Sequence, residues 1–284
     1  MSHLSRRRVL LSGPGLILAG CGEPQSSAVR SPPQPKPAVD PLAEAVAGVW
    51  RTPAERARDR WRRPAETLRF FGLQPGATVV EFWPGVGWWT QILAPYLART
   101  GGRYVAAQPD ADPALVETFR RRFANTALYG RVEIARFGPA SGPVVPAGSA
   151  DLVLFMRNLH NWMAAGLTEK AFRDAHAALK PGGTLGIEQH RADPEGVQDP
   201  VAASGYVQQA YVVGLAEEAG FRLEAASELN ANPKDDRDHP FGVWTLPPVR
   251  LSAPRGSPPD PSFDRTTFDA VGESDRMTLR FRRP

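Results

Sequence analysis

Residues 81–90, EFWPGVGWWT, combine an acidic side chain with two glycines directly after an apolar run. Gly85 and Gly87 would let the backbone approach a ligand closely. A helix that begins after them would direct free N–H groups and a partial positive charge at that ligand. Glu81 could position a cationic group. Because ligands of parallel α/β sheets bind beyond the carboxyl ends of strands, the segment predicts a loop for a nucleoside-type cofactor.

Two other kinds of loop fit this segment poorly. A dinucleotide-binding loop would need glycine at positions 83, 85 and 88, but Trp83 and Trp88 occupy two of them. A phosphate-binding loop would continue with Gly-Lys-Ser or Gly-Lys-Thr, and this sequence does not. An acid followed by Gly-x-Gly therefore favours a cofactor with a cationic amino-acid end over a nicotinamide cofactor.

A second group of polar residues, Arg157, Asn158 and His160, follows the apolar strand predicted at 151–156. We expect His160 to act as a base or to contact the substrate. Its alternative role is to fix the loop by hydrogen bonds. Arg157 could bind an acidic substrate or form a structural pair with Glu188.

The strand predicted at 184–189 contains Glu188 and is followed by His190. A charged side chain in an apolar strand is expected to be paired or functional. His190 is a second candidate base on the same edge of the sheet, and His239 is a weaker one. His160, His190 and His239 could form a metal site with Glu188, but no short ligand spacing supports it, so we expect none.

These strand ends meet only if the sheet is parallel, and the pattern of the chain predicts that. Apolar runs alternate with helical patterns, which is typical of a doubly wound α/β sheet. Strands are predicted at 78–82, 103–107, 131–135, 151–156, 184–189, 221–229 and 277–281, and helices at 52–61, 64–70, 88–97, 113–123, 168–179 and 206–219. The long segment 230–274, rich in Pro, Asp and Gly, interrupts the alternation. We interpret it as a lid over the site, with a disordered surface insertion as the alternative.

The first 20 residues are typical of a signal peptide. Three arginines at 6–8 precede a short apolar run, and the Arg-Arg pair resembles a twin-arginine export signal. Residues 18–21, LAGC, resemble a lipobox, in which Cys21 would be lipidated and become the new N-terminus. An incidental thiol is the alternative for Cys21, which is the only cysteine and so forms no intramolecular disulfide.

Residues 21–44 are rich in Pro and Ser and predict a tether, and the folded domain is expected over 45–284. The expected location is the periplasmic or cell-surface side of a membrane, with anchoring through Cys21. Of the 284 residues, 42% are hydrophobic and 23% charged, which is ordinary globular composition. Loss of the three arginines at 6–8 would lower the formal charge from +4 to +1. A nearly neutral domain argues against a nucleic-acid partner.

Four motifs in this order resemble class I S-adenosylmethionine-dependent methyltransferases. Within that class they are similar to a bacterial group of predicted methyltransferases, many of them exported. The motifs are WPGVGWWT at 83–90, RNLHNW at 157–162, NANPKD at 230–235 with HPFGVWTLPP at 239–248, and GESDRMTLRF at 272–281. The resemblance extends over about residues 45–284.

This resemblance implies a Rossmann-like sheet of seven strands, mostly parallel, with an antiparallel last strand at 277–281 inserted beside the fifth. It also implies S-adenosylmethionine as cofactor and a small-molecule methyl acceptor. Candidate cofactor-binding residues are Glu81, Pro84, Gly85, Gly87, Trp88, Gln108, Asp110 and Asn158. The chain departs from the class at two of the positions concerned. Trp83 replaces the first glycine, and Gln108 stands where an acid would accept from the ribose hydroxyls, with Asp110 as a possible substitute.

Three functions are compatible with these residues. The leading hypothesis is a methyltransferase with His160, His190 and Arg157 as candidate catalytic residues. The alternative is a non-catalytic ligand-binding lipoprotein with the same fold, since S-adenosylmethionine is made in the cytoplasm and the domain is expected outside it. A hydrolase comes third, because there is no Gly-x-Ser-x-Gly motif and no cysteine nucleophile.

Overall fold

The computed structural model describes residues 40–284. The predicted signal peptide, Cys21 and the tether up to residue 39 lie outside the described residues. The expected start of the domain at 45 is too late, because residues 41–44 are helical and the side chain of Leu42 is buried in the core. Within 40–284 the strands are β1 (Thr78–Phe82), β2 (Arg103–Pro109), β3 (Val132–Phe137), β4 (Ala150–Met156), β5 (Leu179–His190), β6 (Arg222–Ser227) and β7 (Arg276–Arg282).

These seven strands form one sheet in the order β3-β2-β1-β4-β5-β7-β6. Strands β1 to β5 pair in parallel, whereas β7 runs antiparallel to both β5 and β6. In the β5–β7 pair, Glu188 lies opposite Thr278. The predicted fold class, with an antiparallel last strand inserted beside the fifth, is confirmed.

The helices in the same range are α1 (Pro41–Val46), α2 (Pro53–Arg56), α3 (Asp59–Arg62), α4 (Pro64–Phe70), α5 (Thr90–Thr100), α6 (Pro113–Arg122), α7 (Thr126–Tyr129), α8 (Leu159–Ala164), α9 (Thr168–Ala178), α10 (Gln209–Glu218) and α11 (Thr266–Val271). Gly242–Trp244 forms a 3-10 turn. None of the helices in residues 40–284 has the length and apolar character needed to cross a membrane.

Helices cover both faces of the sheet, and β4 explains why its sequence is apolar throughout. Val153 and Phe155 pack on the face covered by α8, α9 and α10, whereas Leu152 and Leu154 pack on the face covered by α4 and α5. A strand that is buried on both faces has no polar side, so the sequence does not alternate.

Several predicted boundaries differ from the structure. The predicted helix 52–61 is divided into α2 and α3, because the Arg58 N–H bonds the Glu55 carbonyl three residues back and tightens the turn. The Thr52 capping box expected at its start is present. Strand β5 begins at Leu179, not at 184, since Leu179 pairs with Ala150.

The predicted helix 206–219 begins only at Gln209. Val207 instead forms a bridge to Arg191, with its N–H bonded to the His190 carbonyl at 2.9 Å. The backbone before α10 therefore pairs with the residues that end and follow β5, next to His190.

The 230–274 segment is packed against the rest of the domain. The buried Asn230 side chain donates to Thr67 and Thr278, and the Asn232 side chain donates to the Glu273 carbonyl at 2.7 Å. The Val243 N–H bonds the Ser204 carbonyl at 2.9 Å. A disordered surface insertion therefore does not describe this segment, and its opening as a lid stays a prediction.

Candidate functional site

The carboxyl ends of the neighbouring strands β1 and β4 each carry a non-glycine residue with left-handed backbone. Trp83 has a φ of +49° and Arg157 a φ of +62°. Such residues cost about 1–3 kcal/mol each and persist where surrounding contacts hold them. Here the Trp83 N–H bonds the Ala107 carbonyl at 2.8 Å, and the Arg157 N–H bonds the Glu188 carbonyl at 2.7 Å. Strained backbone at this edge is consistent with a functional site.

Asn158 joins the same two strand ends. Its side-chain amide donates to the carbonyls of Trp83 at 2.8 Å, Phe82 at 3.2 Å and Met156 at 3.3 Å. This residue was predicted to bind the cofactor. In the structure its amide nitrogen fixes the position of the loop after β1.

Trp83 keeps the left-handed backbone that glycine usually provides, while its side chain turns into the core. The indole packs edge-on against Phe137 and Trp162, and its Nε1 donates to the Phe137 carbonyl at 3.2 Å. Trp83 therefore replaces a glycine without directing its ring into the space next to Gly85. The sequence gives no sign of this orientation.

The loop at 84–87 is open at Gly85 and tightly packed at Gly87. The two glycines have φ values of +59° and +85°. A Cβ at Gly85 would meet no atom within 4 Å, whereas one at Gly87 would lie 2.4 Å from the Phe123 ring. Pro84 closes the turn, since its carbonyl accepts from the Gly87 N–H at 2.9 Å. The free surface of this loop is therefore at Gly85.

Gln108, at the end of β2, faces this loop. Its Nε2 donates to the Gly85 carbonyl at 3.2 Å. Its Oε1 is buried and has no hydrogen-bond partner in the part of the chain that the structure describes. A buried acceptor without a donor is costly, so this oxygen is suited to accept from a ribose hydroxyl. The Asp110 carboxylate, two residues on, lies against Gly138, where an added Cβ would be 1.8 Å from Oδ1.

Glu81 is fully buried beneath the start of α5. Its Oε2 accepts from the Tyr104 hydroxyl at 2.5 Å, and that hydroxyl lies 2.8 Å from Thr90 Oγ1. Burial raises the pKa of Glu81 to about 7, against the opposing effect of these hydroxyl groups. The carboxyl can therefore gain or lose a proton near neutral pH.

Trp88, another candidate cofactor residue, is buried against arginines from the N-terminal helices. The guanidinium of Arg62 lies 4.5 Å from the indole centroid and that of Arg51 lies 5.1 Å from it. The indole Nε1 donates to the Glu55 carbonyl at 3.2 Å. Cation–π contacts of this kind attach α3 and the segment before α2 to the loop after β1.

The structure brings the three predicted catalytic residues together. The rings of His160 and His190 are 5.3 Å apart between centroids, and both line one cavity with Arg157. This cavity has a volume of about 170 Å³. The 230–274 segment contributes Trp244 and Pro248 to its wall.

The hydrogen bonds of Gln189 determine which ring nitrogen of His160 carries the proton. The Gln189 Oε1 accepts from the Leu159 N–H at 3.2 Å, and its Nε2 donates to the Gly205 carbonyl at 3.0 Å. The amide nitrogen therefore also faces His160 Nδ1, at 3.1 Å, and Nδ1 must accept. Burial lowers the pKa of His160 to about 4, so the ring is neutral with its proton on Nε2. In this state His160 is a hydrogen-bond donor and not a base.

No amide fixes the tautomer of His190, which stays the candidate base in the form whose Nδ1–H donates to Ser274 Oγ and whose Nε2 is free. Its Nδ1 lies 2.5 Å from Ser274 Oγ, which fixes the ring. Burial holds the pKa of His190 well below its usual range, so this imidazole is also neutral. Ser274 belongs to the motif at 272–281, but its pairing with His190, 84 residues away in sequence, does not follow from it.

Arg157 forms its side-chain ion pair with Glu273, at 3.4 Å from Nη1 to Oε2. The alternative partner proposed from sequence, Glu188, instead lies 3.1 Å from Arg276 Nη1. Glu188 bonds Arg157 only through the backbone. Glu273 belongs to the motif at 272–281, but its burial and its pairing with Arg157 do not follow from that motif.

His239 lies apart from the other two histidines. Its Nε2 is 2.7 Å from Asp235 Oδ1. Among residues 40–284, the only group of potential metal ligands brought within reach of one another is Asp235, Asp236 and His239. The hypothetical set of His160, His190, His239 and Glu188 is therefore not assembled in the described domain.

Comparisons with known proteins agree with this fold. Residues 84–187 match the family model described as a methyltransferase domain. No curated protein matches the sequence significantly. A SAM-dependent methyltransferase from Aquifex aeolicus is 20% identical, with 68% of this chain and 94% of that chain covered and a TM-score of 0.50.

Two further structures cover more of the chain. Geranyl diphosphate C-methyltransferase from Streptomyces coelicolor A3(2), in complex with Mg²⁺, geranyl diphosphate and S-adenosyl-L-homocysteine, is 13% identical, covers 84% of this chain and 87% of its own, and has a TM-score of 0.55. The cyclase SpnF is 17% identical, covers 86% of this chain and 92% of its own, and has a TM-score of 0.56. These likenesses establish the methyltransferase fold, which a cyclase shares.

The raised pKa of Glu81 predicts a pH-dependent stability that Glu81→Gln removes. The folded state keeps the proton up to about pH 7, whereas the unfolded carboxyl ionises near 4.5. The wild type should therefore lose up to about 3 kcal/mol of stability relative to the variant as the pH rises between these values. Urea unfolding of both proteins from pH 4 to 8 measures this difference.

Glu133→Gln is the control, because Arg103 lowers the pKa of Glu133. Stability from that pair is present above the unfolded pKa and is lost only as the pH falls further. Its difference profile should be flat between pH 5 and 7. A flat profile for Glu81→Gln would contradict the buried, protonated carboxyl.

Proposed function

We propose that this protein is an S-adenosylmethionine-dependent methyltransferase that acts on a small molecule. The observation that carries the proposal is the buried, unpartnered Oε1 of Gln108 beside the open face of Gly85. An acceptor at the end of β2 next to a free loop surface suits a ribose diol. The methyltransferase-domain match at 84–187 begins at this loop and supports the proposal.

The residues around the loop can hold each part of that cofactor. Gly85 leaves room for the nucleoside and Gln108 accepts from its ribose. Glu81, when ionised, can attract the cationic amino-acid end from beneath the loop. When bound, S-adenosylmethionine supplies a methyl group on a positively charged sulfur, whose transfer to an acceptor releases S-adenosylhomocysteine.

The acceptor site in this proposal is the cavity with Arg157, His160 and His190. His160 donates a hydrogen bond through Nε2, and His190 takes the proton that an O–H or N–H acceptor gives up. Residues of the 230–274 segment, among them Val243 and Trp244, cover the cavity and exclude water. We further propose that this segment opens to admit the acceptor.

A ligand-binding protein without transfer activity is the second candidate. The observation that favours it is Gln108, because a neutral amide holds a ribose diol less strongly than the carboxylate of most class members would. The two candidates differ in one result. A protein that binds S-adenosylhomocysteine yet transfers no labelled methyl group to any acceptor would match the second candidate.

Calorimetric titration of the full chain should give micromolar binding of S-adenosylmethionine and S-adenosylhomocysteine, and Gly85→Trp should abolish it. The indole would occupy the free space at Gly85. Gly148→Trp is a matched control, because Gly148 has a φ of +64° and equally open space at its Cβ position. It precedes β4 and so lies at the opposite edge of the sheet.

The control variant should bind both ligands as the wild type does. Absence of binding to folded wild-type protein would refute the proposal. Equal loss in both variants would mean that backbone strain, and not the loop surface, explains the effect.

We also propose that the chain is exported and anchored to a membrane through a lipid on Cys21, with the Pro- and Ser-rich residues before α1 as the tether. The support is the order of the twin arginines, the apolar run and LAGC in the sequence. A diacylated N-terminal cysteine has two chains, which is enough for stable anchoring.

Cys21→Ser should move the protein from the membrane fraction to the soluble fraction, because no lipid can then be attached. Fractionation followed by immunoblotting measures the distribution, with Ser31→Ala in the tether as the control. A Cys21→Ser protein that stays in the membrane fraction after a high-salt wash would argue against the lipid anchor.

A further inference from the structure

The site contains an excess of buried positive charge. The carboxylate of Glu273 accepts from Arg58 at 2.7 Å, Arg276 at 2.8 Å and Arg62 at 3.0 Å, and the fourth guanidinium, Arg157, lies 3.4 Å away. We call these four side chains the arginine cluster. Among the described residues, Glu188 is the other buried carboxylate that contacts it, at 3.1 Å from Arg276. Four guanidiniums against two carboxylates leave two positive charges in excess.

The surrounding groups do not cancel this excess. Glu81 is close enough to Arg62 to attract it, but burial raises its pKa to about 7, so it is at most partly ionised at neutral pH. Asp59 is paired with Arg51, at 2.6 Å. Arg255, whose guanidinium lies 4.3 Å from the Trp244 ring, adds a further positive charge near the cavity. An anion at this place would therefore be attracted from several sides.

The arginine cluster also contains buried donors without acceptors. Within residues 40–284, Arg62 Nη2, Arg157 Nε and Arg276 Nε have no hydrogen-bond partner, although the side chains of Arg62 and Arg276 are each only 1% exposed. A buried charged donor without an acceptor is costly unless something else pairs with it. Both carboxylate oxygens of Glu188, next to Arg276, are also without a hydrogen bond. Of the three nitrogens, only that of Arg157 belongs to a residue that lines the cavity, and it supports an anionic ligand there.

Arg157 is the member of the arginine cluster that reaches the cavity. A fifth of its side chain is exposed, and its contact with Glu273 is the longest of the four. His160 lines the same cavity and carries its proton on Nε2. The lining also includes the apolar residues Val243, Trp244, Pro247 and Pro248, and the carboxylate of Glu273, which is already paired with the arginine cluster. The cavity thus offers both hydrogen-bond donors and apolar contact.

The cavity accepts only a small ligand. Its volume of about 170 Å³ is well below the roughly 300–1,000 Å³ of sites for drug-sized molecules. A guanidinium prefers planar, two-oxygen acceptors, which carboxylates provide. A compact molecule with one carboxylate and a small apolar body matches this lining.

We propose that this cavity binds small monocarboxylates, with the carboxylate held by Arg157 and the Nε2–H of His160. That such acids are the methyl acceptors rests on the proposed function, whereas their binding does not. Arg157 is then a specificity-determining residue of the acceptor site. It selects for the charge of the ligand and not for a particular compound.

The test compares benzoate with benzamide, its neutral isostere, by calorimetry on the full chain without cofactor. Benzoate should bind at least tenfold more tightly than benzamide, because only the anion pairs with Arg157. Arg157→Gln should remove this preference. Equal binding of the two compounds, or binding of neither, would overturn the proposal.

A second pair of variants tests the same site independently, in case Arg157→Gln misfolds. Val249 lines the cavity and is 51% exposed, so Val249→Trp should block benzoate without disturbing the core. Val197→Trp, at a position 98% exposed and outside the cavity lining, is the matched control and should bind benzoate normally. Benzoate binding that survives in Val249→Trp would place the ligand elsewhere and overturn the proposal.

The same protein, titrated with S-adenosylhomocysteine, separates this inference from the proposed function. Binding of S-adenosylhomocysteine without preference for benzoate would remove the carboxylate assignment and leave the methyltransferase proposal intact. Preference for benzoate without binding of S-adenosylhomocysteine would support the carboxylate assignment and contradict the methyltransferase proposal.

Discussion

The carboxylate of Glu273 is the interaction on which the geometry of this site depends. It lies just before β7 and binds arginines from the turn before α3, from α3 itself, from the end of β4 and from the start of β7. Removing one partner of a buried ion pair typically costs about 3–5 kcal/mol, because an uncompensated charge remains. Glu273 therefore fixes the N-terminal helices and the inserted strand relative to the edge where the candidate residues lie.

The same arginines connect the loop after β1 with the cavity at Arg157. Arg62 pairs with Glu273 on one side and stacks on Trp88 of the loop on the other. Arg157 follows β4 with a left-handed backbone and contacts Glu273 at the cavity. Next to it, Asn158 binds the carbonyl of Trp83. A ligand that moves one of these groups would therefore also change the geometry of the other part of the site.

Much of the fold could be predicted from sequence because local signals were strong. The unbroken apolar run of β4 and the alternation of strands and helices imply a parallel sheet. The ends of β4 and β5 are neighbours in such a sheet, and this is why Arg157, His160 and His190 could be expected together. Boundaries failed where tertiary pairing decided them, as at Leu179, whose strand partner lies 29 positions earlier.

The chemistry of the side chains was less predictable, since it depends on partners that are distant in sequence. The tautomer of His160 follows from Gln189, whose own orientation is set by the backbone of Leu159 and Gly205. Ser274 and Glu273 belong to the motif at 272–281, but nothing in it indicates which distant side chains they contact. Trp83 could be recognised as a departure from glycine, but the direction of its ring depends on Phe137 and Trp162.

A crystal structure of the protein with S-adenosylhomocysteine would show directly whether the loop after β1 and the Arg157 cavity form the two halves of one transfer site. We expect a nucleoside beside Gly85, a ribose hydroxyl within hydrogen-bond distance of Gln108 Oε1, and a sulfur atom that faces the cavity. Ligand bound elsewhere, or an empty groove at a saturating concentration, would contradict this expectation.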